Sequence, residues 1–274
     1  MRFTSQVRLF ALAVVFSLVA AVRVEAQSPA DAANLSKQLN NPISSLISVP
    51  FQLNYNENIG LEDDGTNWTL LVEPVIPFSL NQNWNLISRT ILPLQWIDDI
   101  PSGSGADFGL GDVTQSLFFS PKKPTSGGWI WGAGPVAVLP LSRTSDSPVF
   151  GKGEWGGGVT GVALRQTDSG WTIGALANHV WNLGGDTAIS NTYLQPFIAH
   201  TTPTAWTFAL NSESTYDWKA GEWSMPFNFM VSKLVHFGKQ PVSFQGGIRY
   251  WADSPDAGPE GWGARFAVTF LFPR

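Results

Sequence analysis

The chain has 274 residues, of which 14% are charged, with a formal net charge of −5 and no cysteine. Soluble domains carry about 25% charged residues, so an ordinary soluble surface is disfavoured. The acidic balance argues against a nucleic-acid partner, and the lack of thiols excludes disulfides, thiolate metal sites and cysteine nucleophiles.

In chain order, Arg2 and Arg8 precede an apolar stretch over 9–22, and Val24-Glu25-Ala26 fits a small-x-small cleavage site. This predicts a cleaved secretory signal peptide over 1–26. An uncleaved anchor is the competing reading, but the stretch is short for a span, and no later apolar run approaches the roughly 20 residues of a membrane helix. A short periplasmic N-terminal segment is expected over 27–44 and one β domain over 45–274.

From residue 45 onward the hydrophobic period is two. Ile47, Val49, Phe51, Leu53 and Tyr55 alternate with Ser48, Gln52 and Asn54. Trp223, Met225, Phe227, Phe229 and Val231 alternate with Ser224, Asn228 and Ser232. Twelve strands are predicted near 45–56, 66–78, 84–96, 107–120, 128–140, 153–166, 170–183, 190–201, 205–217, 222–235, 241–252 and 262–272. The alternation is weak in the fourth, seventh and eighth. Glycines inside these segments, such as Gly132, Gly134, Gly156 to Gly158, Gly246 and Gly247, suit sharp strand curvature.

Tryptophan marks both ends of the strands. Trp84, Trp129, Trp171 and Trp206 follow short turns, whereas Trp68, Trp96, Trp155, Trp181, Trp218, Trp223, Trp251 and Trp262 adjoin longer polar stretches. Indole favours the two interfaces of a bilayer. Two girdles, an even strand count and alternating short and long connections together predict an all-β, transmembrane, antiparallel up-and-down β-barrel of about twelve strands, in the outer membrane. A secreted β-sandwich also alternates, but its solvent face should be richly charged. Here that face is mostly Ser, Thr, Asn, Gln and Gly. The final aromatic strand, 263–272, matches the signal read by barrel-assembly machinery, except that Pro273 and Arg274 follow Phe272.

Inward positions carry the chemistry. A hairpin centred on Asn81 sets Glu73 opposite Arg89, and one centred on Ala257 sets Arg249 opposite Arg265, with Glu213 the nearest acid by strand order. Asp112, Glu154, Asn211 and Gln245 complete the lumen-lining candidates. They form either a bracing network or a selective constriction. Acids of the longer loops (Glu57, Glu62, Asp63, Asp64, Asp98, Asp99, Asp107, Asp253, Asp256, Glu260) lack calcium-loop spacing and are expected to be solvated. No catalytic residues, cofactor or metal are expected.

LISVPFQ (46–52), PVIPFSLN (74–81), WNLISRTILP (84–93), FGLGD (108–112), GPVAVLP (134–140), LQPF (194–197), STYDW (214–218) and VTFLFP (268–273) resemble the bacterial outer-membrane transporters grouped as the "MetA-pathway of phenol degradation" family. The resemblance covers nearly all of the chain after the leader. It implies an outer-membrane barrel with a transport role, and it transfers no catalytic residues. The function expected is a channel or transporter for small solutes, apolar or aromatic ones among them, with membrane lipid against the outer face. The alternatives are an outer-membrane enzyme of the lipid-hydrolase type and a non-transporting structural barrel. Only His179, His200 and His236 are available as a hydrolase base.

Overall fold

A computed structural model describes residues 29–144, 150–184 and 189–273; the leader expected over 1–26 lies outside them. The chain forms a closed barrel of twelve antiparallel strands. They are β1 (Ile47–Ile59), β2 (Gly65–Val72, resuming as Val75–Ser79), β3 (Trp84–Asp98), β4 (Ala106–Leu110, resuming as Val113–Pro121), β5 (Trp129–Leu139) and β6 (Trp155–Gln166). The second half is β7 (Trp171–Gly184), β8 (Ser190–Thr201), β9 (Trp206–Ser212, resuming as Ser214–Asp217), β10 (Glu222–Phe237), β11 (Gln240–Asp253) and β12 (Gly261–Phe272). Each strand pairs with the next, and β12 closes on β1 from Ile47↔Phe272 to Tyr55↔Ala264. Closure satisfies every edge, which a bilayer demands.

The outer surface is apolar because alternate positions point away from the lumen. Phe108, Phe119, Val159, Ile173, Phe208, Leu210, Phe227, Phe229 and Ile248 are all exposed. Trp68, Trp96, Trp155, Trp181, Trp218, Trp223 and Trp262 are exposed toward the long-loop end, and Trp129, Trp131, Trp171 and Trp206 toward the short-turn end. Trp84 lies edge-on to Trp131 at 5.9 Å.

Trp251 departs from the girdle expectation. Its neighbours Ile248 and Tyr250 are exposed, and Arg249 is buried, so odd positions of β11 face inward. The indole of Trp251 therefore enters the barrel, where Nε1 donates to Asn56 Oδ1 at 3.1 Å and the ring lies 5.4 Å from the Arg249 guanidinium.

The weak alternation of β4 has a backbone cause. Leu94 pairs with Leu110, but Ile91 pairs with Thr114, so one extra residue lies between the two halves of β4. This bulge at Gly111 and Asp112 reverses facing: Phe108 and Phe119 are both exposed, eleven positions apart. In β7 and β8 the alternation is blurred because the inward positions Leu176, Val180 and Phe197 are themselves apolar. Glycine is required at β6, where a Cβ on Gly158 would stand 1.8 Å from the His179 carbonyl oxygen.

The stretch before the barrel is ordered against its interior. A helix, α1 (Pro29–Leu39), opens with proline, carries Asp31 in its first turn and Lys37 in its last, and so suits its own dipole. Ala32, Leu35 and Leu39 form one face, which packs on Leu46, Ala205, Leu234 and Leu271. Lys37 Nζ donates to the Thr167 carbonyl at 2.6 Å, Gln166 Nε2 donates to the Lys37 carbonyl at 2.7 Å, and Asn40 Nδ2 donates to Thr201 Oγ1 at 3.1 Å. These partners all lie at the short-turn end. Residues 29–44 thus form a plug in that mouth.

Candidate functional site

A chamber of about 490 Å³ lies inside the barrel, within the range of small-molecule sites. Ser36, Leu39, Asn40, Asn41, Pro42 and Ser44 of the plug form its floor. Beside the plug the lumen is filled by apolar side chains. Ile43 is buried with Val75, Ile87, Phe118, Val162, Leu164 and Leu176, and Ile130, Tyr193 and Phe197 pack against them. The chamber wall continues this surface through Val138, Leu176, Val180 and Phe197.

The other wall is charged. Glu213 accepts from Arg265 at 2.7 Å (Nη1 to Oε1) and 2.6 Å (Nη2 to Oε2), a bidentate pair. Arg249 Nη2 reaches the same Oε2 at 2.9 Å. Each arginine is steadied by an asparagine, since Arg265 Nε donates to Asn54 Oδ1 and Arg249 Nε to Asn228 Oδ1, both at 2.7 Å. Asn228 Nδ2 donates in turn to Asn211 Oδ1 at 2.8 Å. Arg265 and Asn228 are essentially fully buried, so these bonds stand in for water that the interior excludes. Glu73 and Arg89 pair at 3.0 Å on β2 and β3. Both groups line the same chamber, Glu73 and Arg89 on one side and Glu213 and Arg265 on another.

The ion pairs are not the directly opposed pairs expected from the hairpin centres. Arg89 pairs across the ladder with Val75, not with Glu73. Arg249 pairs with Gly263, and Arg265 with Gly247. Both turns are centred differently from the expectation, so the partners are diagonal, within the reach of long side chains.

Glu73, Asp112 and Glu213 share a backbone setting. Each lies where its strand is interrupted, and a proline stands at each interruption. Pro74 follows Glu73, whose N–H donates to the Pro50 carbonyl. Gly111 N–H donates to the Pro93 carbonyl, and Glu213 N–H to that of Pro226. Proline has no N–H for the ladder, so the pairing lapses beside it.

Asp112 stands apart from the arginine network. Its Oδ1 accepts from Ser142 N at 3.1 Å and Oγ at 2.6 Å, and its Oδ2 accepts from Gly153 N at 3.0 Å. It thereby clasps both described ends of the β5–β6 connection. Glu154 is buried next to this clasp. Lys152 pairs with Asp217 of β9 at 2.7 Å, and Gln95 Nε2 donates to the Phe150 carbonyl at 2.8 Å. This loop therefore reaches from β3 to β9 over the barrel's long-loop end. Gln245 lines the chamber.

Asn54, Asn56, Asn228 and Tyr193 were missed as lumen residues. The three asparagines were legible by parity on alternating strands; Tyr193 lies on β8, where apolar inward residues mask the period.

Among the described residues no histidine ring is hydrogen-bonded to a serine hydroxyl. His179 Nδ1 meets Thr192 Oγ1 at 2.7 Å, His200 Nε2 meets the Ser169 carbonyl at 3.2 Å, and His236 is buried. The described residues also hold no cluster of His, Asp and Glu that would take a metal ion.

No protein-family model and no curated protein matches the chain. Solved structures do. The COG4313 outer membrane channel from Pseudomonas putida F1 superposes with a TM-score of 0.61 at 15% identity, covering 83% of this chain and 94% of that one. A NanC porin follows at TM-score 0.49 and 9% identity, covering 83% and 100%. The outer membrane phospholipase dimer of Salmonella typhi with bound calcium reaches 0.47 at 11% identity, covering 90% and 99%. The first of these shares the fold of this chain. With its apolar outer face, the closed barrel belongs in the outer membrane.

Proposed function

We propose that this barrel is a channel that carries small solutes with an apolar body across the outer membrane, and that it is a transporter of the phenol-degradation type its sequence resembles. One observation carries the reading: a chamber of solute size, apolar on one wall and charged on the other, runs from the plug into the middle of the barrel. A brace alone has no use for such a space, because interiors otherwise pack tightly. In this reading the short-turn end faces the periplasm, residues 29–44 stand in the exit path, and membrane lipid covers the outer face. The aromatic run of β12 is the segment read by the assembly machinery.

Conductance across a planar bilayer tests the proposal. Purified protein whose gel mobility shifts on heating, as folded barrels do, is expected to give discrete current steps. Folded protein that stays silent, and admits no apolar solute into loaded vesicles, overturns it.

A further inference from the structure

The charged wall is unevenly balanced. Among the described residues, the charged wall holds two ion-paired groups, Glu73 with Arg89 and Glu213 with Arg249 and Arg265, three guanidiniums against two carboxylates. Taken together, the two groups are one negative charge short of neutrality, and buried charge is costly when uncompensated. The shortfall falls on the chamber. Arg265 and Arg249 are engaged by Glu213 and their asparagines, but among the described residues Arg89 makes a single side-chain hydrogen bond, from Nη2 to Glu73. Its remaining donors belong to a side chain that lines the chamber. Tyr193 lines the same space and packs against the apolar cluster. Leu176 and Phe197, on β7 and β8, four and five strands from the strand of Arg89, give the chamber an apolar side.

We infer that the chamber is a binding site for a monoanionic organic acid, its carboxylate on Arg89 and its apolar body against the β7–β8 side. This rests on the channel reading and deepens it. A carboxylate supplies the missing charge and matches the planar fork of a guanidinium. The apolar body is what separates such a ligand from a simple inorganic anion.

Isothermal titration on the folded barrel in detergent tests this without requiring any current, so a failure here is distinct from a failure to conduct. The probes are hexanoate, 1-hexanol, hexylammonium, acetate and chloride. Hexanoate is expected to bind at least about tenfold more tightly than each of the others, since a hydrogen bond to a charged group is worth roughly a factor of ten or more against 1-hexanol and hexylammonium, and burial of the alkyl chain gives at least as much against acetate and chloride. Arg89→Gln is expected to weaken hexanoate about tenfold while leaving 1-hexanol unchanged. Glu73→Gln removes a competing carboxylate and is expected to tighten hexanoate severalfold, a gain that misfolding does not produce. The inference is overturned if 1-hexanol or hexylammonium binds as well as hexanoate, or if acetate or chloride does. It is equally overturned if Glu73→Gln leaves hexanoate binding unchanged or weaker.

Discussion

Arg249 and Arg265 hold the same carboxylate oxygen from positions that do not face each other. Their ladder partners are Gly263 and Gly247, yet both reach Glu213 Oε2, at 2.9 and 2.6 Å. Two like charges are brought together by the acid between them, and that acid comes from β9, three strands away from β12. The network thus ties the wall together across the lumen.

Removing the shared acid is expected to cost more than removing either base. Glu213→Gln strands two buried guanidiniums and should lower unfolding stability by about 3–5 kcal/mol. Arg249→Ala leaves the bidentate Arg265 pair intact and should cost less. Urea unfolding of the folded barrel in detergent measures both. In bilayers, Glu213→Gln should also raise the permeability of anions over cations. Equal stability of the two variants would show that Glu213 is not the centre of the network.

The facing of the wall makes a second expectation. Phe227→Arg places a charge on the lipid side of β10 and should destabilise by about 2–4 kcal/mol near mid-membrane. Asn211→Arg points into the lumen, beside Asn228, and should cost less. Refolding titrations in lipid vesicles give the comparison, and equal losses would contradict the inward position of Asn211.

Trp251 and Trp262 provide a test by fluorescence. The Trp262 ring is exposed on the outer face, whereas that of Trp251 is bonded to Asn56 inside. Brominated lipid quenches only indoles it can touch. Trp262→Phe should therefore reduce the quenchable signal, and Trp251→Phe should leave it as it was.

The plug is open to a cross-linking test, because the chain has no native cysteine. Asn40 and Thr201 are hydrogen-bonded through their side chains. The pair Asn40→Cys with Thr201→Cys is expected to conduct weakly when oxidised and to gain conductance on reduction. Conductance indifferent to the oxidation state would take residues 29–44 out of the solute path.

Much of the barrel was legible in the sequence, because bilayer and ladder impose a period of two and Trp marks the strand ends. The limits arise where another force governs the same positions. The Trp251 indole obeys strand parity and takes Asn56 as partner, which end-of-strand position alone does not show. The bulge at Gly111 and Asp112 shifts facing without a break in composition. The apolar lumen residues Ile87, Phe118 and Leu164 defeat the rule that inward means polar, because they pack against Ile43 of a segment that precedes the barrel. Register failed by two positions at both hairpins, since turn centres depend on loop geometry that composition does not encode.

The seam joins the filling of the barrel to its closure. Ile47 pairs with Phe272, so the ladder that closes the cylinder joins the two ends of the barrel sequence. Pairing across so long a stretch of chain is slow, because the intervening loop must be closed first. Ile43 stands only four residues before that seam and is buried inside the finished wall. The cylinder therefore shuts around its own beginning. Filling the interior and closing the wall therefore draw on one short stretch of chain, with buried Ile43 and the seam residue Ile47 four positions apart.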